Sequence, residues 1–491
     1  MTTANQEPQE SEKNTDSGQG NIEEELCYTP ATELVKLIAN KSLSPVELMD
    51  AVLARVEKLN PVLNAICTPT AETARALANV AESMVMSDKP LGPLHGIPLT
   101  IKDTIYTKDV RTMIGSRLKA DFIPNEDAPL VTRLRGAGGI SIGKTTVPEY
   151  AWTVVSNSPQ TGISHNPWKR GFNAGGSSSG AAICAAAGLA PLHQGSDGAG
   201  SVRVPAHFCG IYGIKPSYGR IPNYPTSNAD SISHIGPMTR TVADAALMLE
   251  VMAGPDDRDM SSLEANPPKY TKLLEGGLEG LRVAFSPDFG YLPVDTEIDQ
   301  IVKQAALVFE EMGCHVEQVK STWDDCTEWG PKFWQTMLVG NYRSAVETSA
   351  ELMDPGLVAC VEDGKSISFA DFHEMRVRRL SLYEQMRQFF DQYDLLISPT
   401  ASVAAFPADR LIPEHWAQHS WNWLSYAGFS YPFNLSGMPA ASCPAGFTAA
   451  GLPVGLQIAG GRFQDALVLR ASRAFEEARP WAQHRPPVGT S

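Results

Sequence analysis

Apolar positions along the chain follow two periods. Near the start, Ser44-Pro45-Val46-Glu47 reads as a capping box with proline at the first helical position, and Val46, Met49, Leu53 and Val56 continue at helical spacing. This predicts a helix that ends before Pro61. From about Leu91 short, wholly apolar runs alternate with helical stretches. Residues 97–101, 140–142, 281–285 and 395–397 predict buried strands, and 129–137, 178–189, 241–253, 294–312 and 369–391 predict helices. Strands without a polar face need cover on both sides. The pattern therefore predicts an α/β fold: one large domain whose central sheet is twisted, mixed and mostly parallel, with helices on both faces.

Composition sharpens the boundaries. Residues 1–25 hold seven acids against one lysine and no aromatic, which predicts a disordered acidic tail. The folded domain is expected over 26–480, with a short C-terminal tail over 481–491. Of the 491 residues 43% are hydrophobic and 19% charged, enough to bury a sizeable core. The formal charge of −15 argues against nucleic acid as a partner, because a phosphate backbone wants a basic surface. The longest apolar run, Ala181 to Leu192, is interrupted by Gly188 and Pro191 and falls short of a membrane span. Eight scattered cysteines form neither a CxxC pair nor a repeated spacing, and the first residues lack the order of a secretory signal. A cytoplasmic location with free thiols is expected.

Candidate chemistry concentrates between Gly171 and Ser201. Two clusters stand out, Gly175-Gly176-Ser177-Ser178-Ser179-Gly180 and Asp197-Gly198-Ala199-Gly200-Ser201-Val202-Arg203. Glycines let backbone N–H groups converge on a phosphate or on the oxyanion of an acyl-transfer intermediate. Three strings compete with that reading. Gly138 to Thr145 fits the P-loop pattern, but it follows a helix end and its middle is strand-like. Ser178 is central in G-x-S-x-G, yet no strand precedes it, and the histidines at 207, 234, 373, 415, 419 and 484 have no context that marks a base. His415 and His419 are i, i+4, but residue 416 is Trp where a metalloprotease needs Glu. Lys102 is of more interest, because it closes the apolar run Gly96 to Ile101. It either pairs with an acid such as Asp103 or is a desolvated base. Lowering its pKa from about 10.4 to 7–8 corresponds to about 4 kcal/mol and requires a dry site.

Gly96-Ile97-Pro98-Leu99-Thr100-Ile101-Lys102-Asp103 and the two glycine–serine clusters, in this order, resemble the amidase signature family. So do Gly143-Lys144-Thr145, Asn166-Pro167-Trp168, Gly213-Ile214-Lys215-Pro216, Pro432-Phe433-Asn434, Gly437-Met438-Pro439-Ala440 and Gly451 to Gln457, and the likeness spans about 26–480. The resemblance implies a Ser–cis-Ser–Lys triad, with Ser201 as nucleophile, Ser177 as bridge and Lys102 as base. It implies hydrolysis of amides through an acyl-enzyme on Ser201, with the oxyanion held by N–H groups of Gly198, Ala199, Gly200 and Ser201. No metal and no cofactor are implied. Ala199 departs from the usual glycine, which puts the local geometry of that loop in question. Asp197 and Arg203 read as a structural pair.

Substrate is less legible. Anilides, linear oligoamides and carbamates (urethanes) all fit a Ser201 intermediate, with small esters as a side activity. Val155 and Ser156 lie where relatives place one wall of the site. The aromatic stretch from Trp416 to Phe433, with Trp423 near its centre, is a second candidate for the pocket, against core packing. The partner expected is a small-molecule amide or carbamate, with no nucleic acid and no membrane, and a homodimer stays open. The alternative is the glutaminase subunit of a tRNA-dependent amidotransferase. Met375 to Leu382 carries the arginines of that type but not the glycine that follows them.

Overall fold

Alternate residues of the buried strands belong to two different cores. In the strand Arg282–Phe285, Val283 and Phe285 pack into one apolar cluster and Ala284 into the other. Leu395 and Ile397 likewise face the first core, and Leu396 the second. A sheet with such strands must have helices on both faces. The computed structural model, which describes residues 24–225 and 230–488, has that architecture.

Among the described residues the main sheet has eleven strands. In chain order they are β1 (Ile66–Pro69), β2 (Pro98–Lys102), β3 (Ile140–Thr145), β4 (Leu192–Asp197), β5 (Tyr212–Lys215), β6 (His234–Thr239), β7 (Arg282–Phe285), β8 (His315–Gln318), β9 (Leu395–Pro399), β10 (Ala440–Phe447) and β11 (Pro453–Gly460). Their order across the sheet is β1-β3-β2-β4-β6-β5-β10-β11-β9-β7-β8. The helices Pro45–Leu63 and Ser179–Ala187 contribute to the first core, and Trp329–Ser349 and Phe369–Gln392 to the second.

The sheet is mixed, as expected, but not mostly parallel. Only β2–β3, β2–β4, β7–β8 and β7–β9 pair in parallel, while the other six neighbouring pairs are antiparallel. An all-apolar run reports burial on two faces and carries no information about direction. The first long helix also runs past Pro61 to Leu63. Proline there removes one hydrogen bond in the last turn. Asn60 fixes the chain just beyond this end, its side-chain oxygen accepting the N–H groups of Ala65 and Ile66 at 2.9 and 2.8 Å.

The ends differ from the expected tails where they are described. Most of the acidic segment, 1–23, lies outside the described residues, but Glu25 makes a two-pronged ion pair with Arg485 at 2.6 and 2.7 Å. Trp481 is buried in the first core and donates its indole N–H to the carbonyl of Arg240 at 2.8 Å. The chain from 481 to 488 is thus packed on the domain.

Candidate active site

The parallel pair β2–β4 brings the first two pieces of chemistry together. Thr100 sits opposite His193, so both strands end at the same edge, with Lys102 beside the Ser196–Asp197 end of β4. The carboxyl ends of neighbouring parallel strands are where open α/β sheets place ligands. The second cluster follows directly from β4. The first lies just ahead of the helix Ser179–Ala187, and its Gly176–Ser177 peptide bond is cis. Gly176 is required by close approach: a Cβ there would lie 2.6 Å from the carbonyl oxygen of Val155.

Lys102 is fully buried. Its Nζ donates to Ser177 Oγ at 2.7 Å, to Ser178 Oγ and Ser196 Oγ at 2.9 Å each, and to the Ser196 carbonyl at 3.3 Å. Burial lowers its pKa to about 7, with the charge of Asp197 opposing the fall. An ammonium surrounded by neutral hydroxyls gains too little to repay its lost hydration, so near neutrality the amine is available as a base.

Ser177 and Ser201 both line one cavity of about 290 Å³, together with Gly198 and Ser196. Ser178 does not line it. Its hydroxyl accepts from Lys102 and from the Ser196 N–H at 3.2 Å and donates to the Ser196 carbonyl at 3.1 Å. The G-x-S-x-G string is therefore an anchor for the lysine end, not a nucleophile elbow. None of the histidines noted in the sequence lines the cavity among the described residues. His207 is buried between the Val403 carbonyl and the Gly455 N–H, and burial lowers its pKa to about 4. His415 lies at the surface outside any helix, against Asp295 at 2.9 Å.

The nucleotide-like string fares no better. Lys144 ends buried in β3, its Nζ donating to the Ile105 carbonyl and to the hydroxyls of Thr107 and Thr112 at 3.1 and 2.9 Å. It holds the loop after β2.

Asp197 and Arg203 form a wholly buried bidentate pair at 3.0 Å on each arm. Arg203 also donates to the Ser430 carbonyl, Gln457 and Asn434. Burial alone would raise the Asp197 pKa. The charge and hydrogen bonds of Arg203, with help from Lys215 and Asn434, hold it well below the usual carboxylate range. The pair ties the serine loop to the C-terminal part of the chain. Removing Arg203 leaves a buried charge without its partner, so Arg203→Ala is expected to lose about 3–5 kcal/mol of stability. Thermal or denaturant unfolding checks this, and a loss under 1 kcal/mol contradicts it.

The same carboxylate corrects the expected oxyanion hole. Gly200 donates its N–H to Asp197 Oδ1 at 2.7 Å, so it does not face the cavity as a donor. Among the described residues the N–H groups of Gly198, Ala199 and Ser201 meet no protein acceptor. Gly200 is instead required sterically. Its φ is +115°, and a Cβ there would lie 2.3 Å from Ser430 Oγ. Ala199 is not among the residues with positive φ, and its side chain packs into the second core, so alanine is accommodated.

The expected pocket residues, Val155, Ser156 and Trp423, are not among those that line the cavity. Ser156 accepts from the Ala174 N–H at 3.0 Å and donates to the Ser164 carbonyl at 2.7 Å, which steadies the approach to the first cluster. Trp423 is buried, donates to the Trp152 carbonyl at 3.1 Å and meets Trp334 edge to face. Trp421, Tyr426, Phe429 and Phe433 are likewise core. The wall is built from distant segments: Ile105 and Tyr106, Ile114, Tyr150 and Ala151, Asn223 to Pro225, and Trp334, Asn341 and Tyr342 on the helix Trp329–Ser349. Tyr150 stacks on Tyr342 with centroids 4.4 Å apart. Among the described residues this lining holds no charged side chain. The arginines of 376–379 are elsewhere. Arg378 pairs with Glu374, and Arg379 donates to the Leu435 carbonyl and to Ser231.

A family model described as Amidase matches residues 47–469. The chain belongs to the amidase signature family. An acylamidase of Rhodococcus erythropolis is 39% identical over 477 residues, covering 94% of this chain and 98% of that one. A glutamyl-tRNA(Gln) amidotransferase subunit of Moorella thermoacetica is 32% identical over 95% of this chain and 100% of its own length. Among solved structures, a bacterial aryl acylamidase superposes with a TM-score of 0.85 at 29% identity, covering 93% of this chain and 97% of that one. A 6-aminohexanoate cyclic dimer hydrolase gives 0.85 at 26% identity, covering 94% and 99%. This amidase is thus a hydrolase of the amide-cleaving family, and its sheet and helices are those of the amidase signature fold. No helix among its described residues is long and apolar enough to cross a membrane.

Proposed function

We propose that this amidase cleaves uncharged amides bearing an aryl or other bulky apolar group, and the related carbamates, through an acyl or alkoxycarbonyl intermediate on Ser201. Neutral Lys102 takes a proton from Ser177, which takes one from Ser201 as that oxygen attacks the carbonyl carbon. The N–H groups of Gly198, Ala199 and Ser201 receive the oxyanion. Ser177 then protonates the departing nitrogen, because an amine leaves poorly as an anion, and water opens the ester on Ser201 along the same relay. The observation that carries the reading is the 2.7 Å contact of a buried, weakly basic amine with Ser177, at the rim of a cavity that Ser201 shares.

The substrate class rests on the lining. Tyr106, Tyr150, Trp334 and Tyr342 offer ring faces and edges, and a free carboxylate or ammonium would find no counter-charge among the described lining residues. Glutamine carries both charges, which counts against the glutaminase alternative despite the likeness to the Moorella amidotransferase.

A panel of an anilide, an aryl carbamate, an ester and glutamine, without added metal or nucleotide, tests the proposal. The expected order has the anilide, carbamate and ester cleaved at least about 10³-fold more efficiently than glutamine, since a buried unpaired charge costs several kcal/mol. Glutamine as the preferred substrate, cleaved only with further protein partners, overturns it. Cleavage of anilide but not carbamate removes the carbamate part alone.

A further inference from the structure

Nine non-glycine residues in the described chain have positive φ, and three of them, Ile114, Tyr150 and Ala151, line the cavity. Ile114 is the least expected of these. Its φ is +54°, a region that β-branched side chains avoid, and it is followed by Gly115 at +66°. A glycine or asparagine would adopt this turn more readily. Isoleucine there places a branched apolar side chain against the second core and the cavity at once.

The turn is held from behind by groups that take no part in the proton relay. Asp103, the residue after the lysine, is buried, and its Oδ2 accepts the Met113 N–H at 3.0 Å. The N–H groups of Ile114 and Gly115 also face this carboxylate, and burial raises its pKa to about 6 against the pull of Lys144. On the other side the Ile114 carbonyl accepts the Tyr150 N–H at 2.8 Å, which links the turn to the stacked Tyr150–Tyr342 pair. Room for Ile114 to retreat is small, because a Cβ on Gly115 would already lie 2.5 Å from the Val147 carbonyl. A strained residue that its surroundings over-determine, at a binding cavity, marks a functional constraint.

We propose that Ile114 is the specificity-determining residue that sets how wide an aryl group the cavity admits, with Asp103 as the positioning residue that holds it in place. The inference rests on the amide-hydrolase reading and deepens it. Lys102 at the end of β2 and Asp103 directly after it thus have separate tasks, one serving the chemistry and the other the shape of the site.

Wild type, Ile114→Val, Ile114→Gly and Asp103→Asn are compared on two substrate pairs: the phenyl and 2-naphthyl anilides of acetic acid, and the benzoyl and 2-naphthoyl amides of one amine. In at least one pair Ile114→Gly is expected to raise the naphthyl-to-phenyl ratio of kcat/KM about tenfold or more, and Ile114→Val about threefold. Asp103→Asn is expected to move the same ratio in the same direction, with the midpoint of the pH profile on the phenyl substrate unchanged. A general structural role for Asp103 would lower both substrates together. If Ile114→Gly does not accumulate as folded protein, the valine variant, which keeps the β-branch, decides. Ratios within twofold of wild type for both Ile114 variants overturn the proposal while wild-type, Ser201-dependent cleavage leaves the amide-hydrolase reading intact. A wild type that cleaves none of the four substrates overturns both.

Discussion

Replacing Ser201 by alanine is expected to lower kcat on an anilide by about 10⁴-fold or more, with KM within a few-fold of wild type. Ser201 combines an oxygen in the cavity with N–H groups at Gly198, Ala199 and Ser201 that meet no protein acceptor among the described residues. The substitution removes the attacking oxygen and leaves the lining, the Asp197–Arg203 pair and the Gly200 turn untouched, so binding survives while chemistry does not. Steady-state kinetics and labelling by an active-site phosphonate check the result together. Label attached to Ser178, or a Ser178→Ala variant that alone abolishes turnover, contradicts the assignment. Loss of Ser178 should instead act through Lys102, whose amine it accepts from at 2.9 Å, and should cost less than loss of Ser201.

Lys102→Met carries the second large effect, a fall of about 10²–10⁴-fold in kcat/KM, the usual span of a general base. In the wild type kcat/KM should rise with pH through about 7, because the relay starts from the neutral amine and the buried lysine releases its proton there. The methionine variant should lose that inflection. A profile flat from pH 6 to 9 in the wild type contradicts the relay. Stability moves the opposite way to activity in this substitution. The folded chain holds the lysine proton more weakly than the unfolded chain, whose lysine titrates near 10.4, so between about 7 and 10 the unfolded state binds more protons and stability rises with pH. The cost of the buried amine is greatest below pH 7, on the order of 4 kcal/mol. Lys102→Met should therefore be more stable than wild type at pH 6, by an amount that shrinks toward pH 10. Unfolding at several pH values measures this.

The sequence narrowed where the chemistry of this amidase could sit more than it defined the shape of the site. Lys102 stood out because it closes an apolar strand, whereas Ser177 and Ser201 were singled out from neighbours such as Ser178 by the resemblance to the amidase signature family; the fold then sets Ser177 against the Lys102 amine and puts Ser177 and Ser201 on one cavity. Buried strands and their covering helices were legible for a local reason, since periodicity records how many faces of an element meet the core. Strand direction was not, because a run such as Leu395 to Ile397 reads the same whichever way its neighbour points. Gly200 lay in the expected loop, yet the role of its N–H depended on the Asp197 carboxylate, which folds back over three residues to take it.

The cavity belongs wholly to the tertiary structure. The dense aromatic stretch ending at Phe433 turned out to be core, because local richness in rings measures the need for burial and not what the rings face. The actual wall gathers Ile114, Tyr150, Trp334 and Tyr342 from segments more than two hundred residues apart. Their meeting depends on a left-handed turn, a carboxylate that holds it and the packing of one long helix. No window of sequence contains those three together, so only the folded chain could decide them.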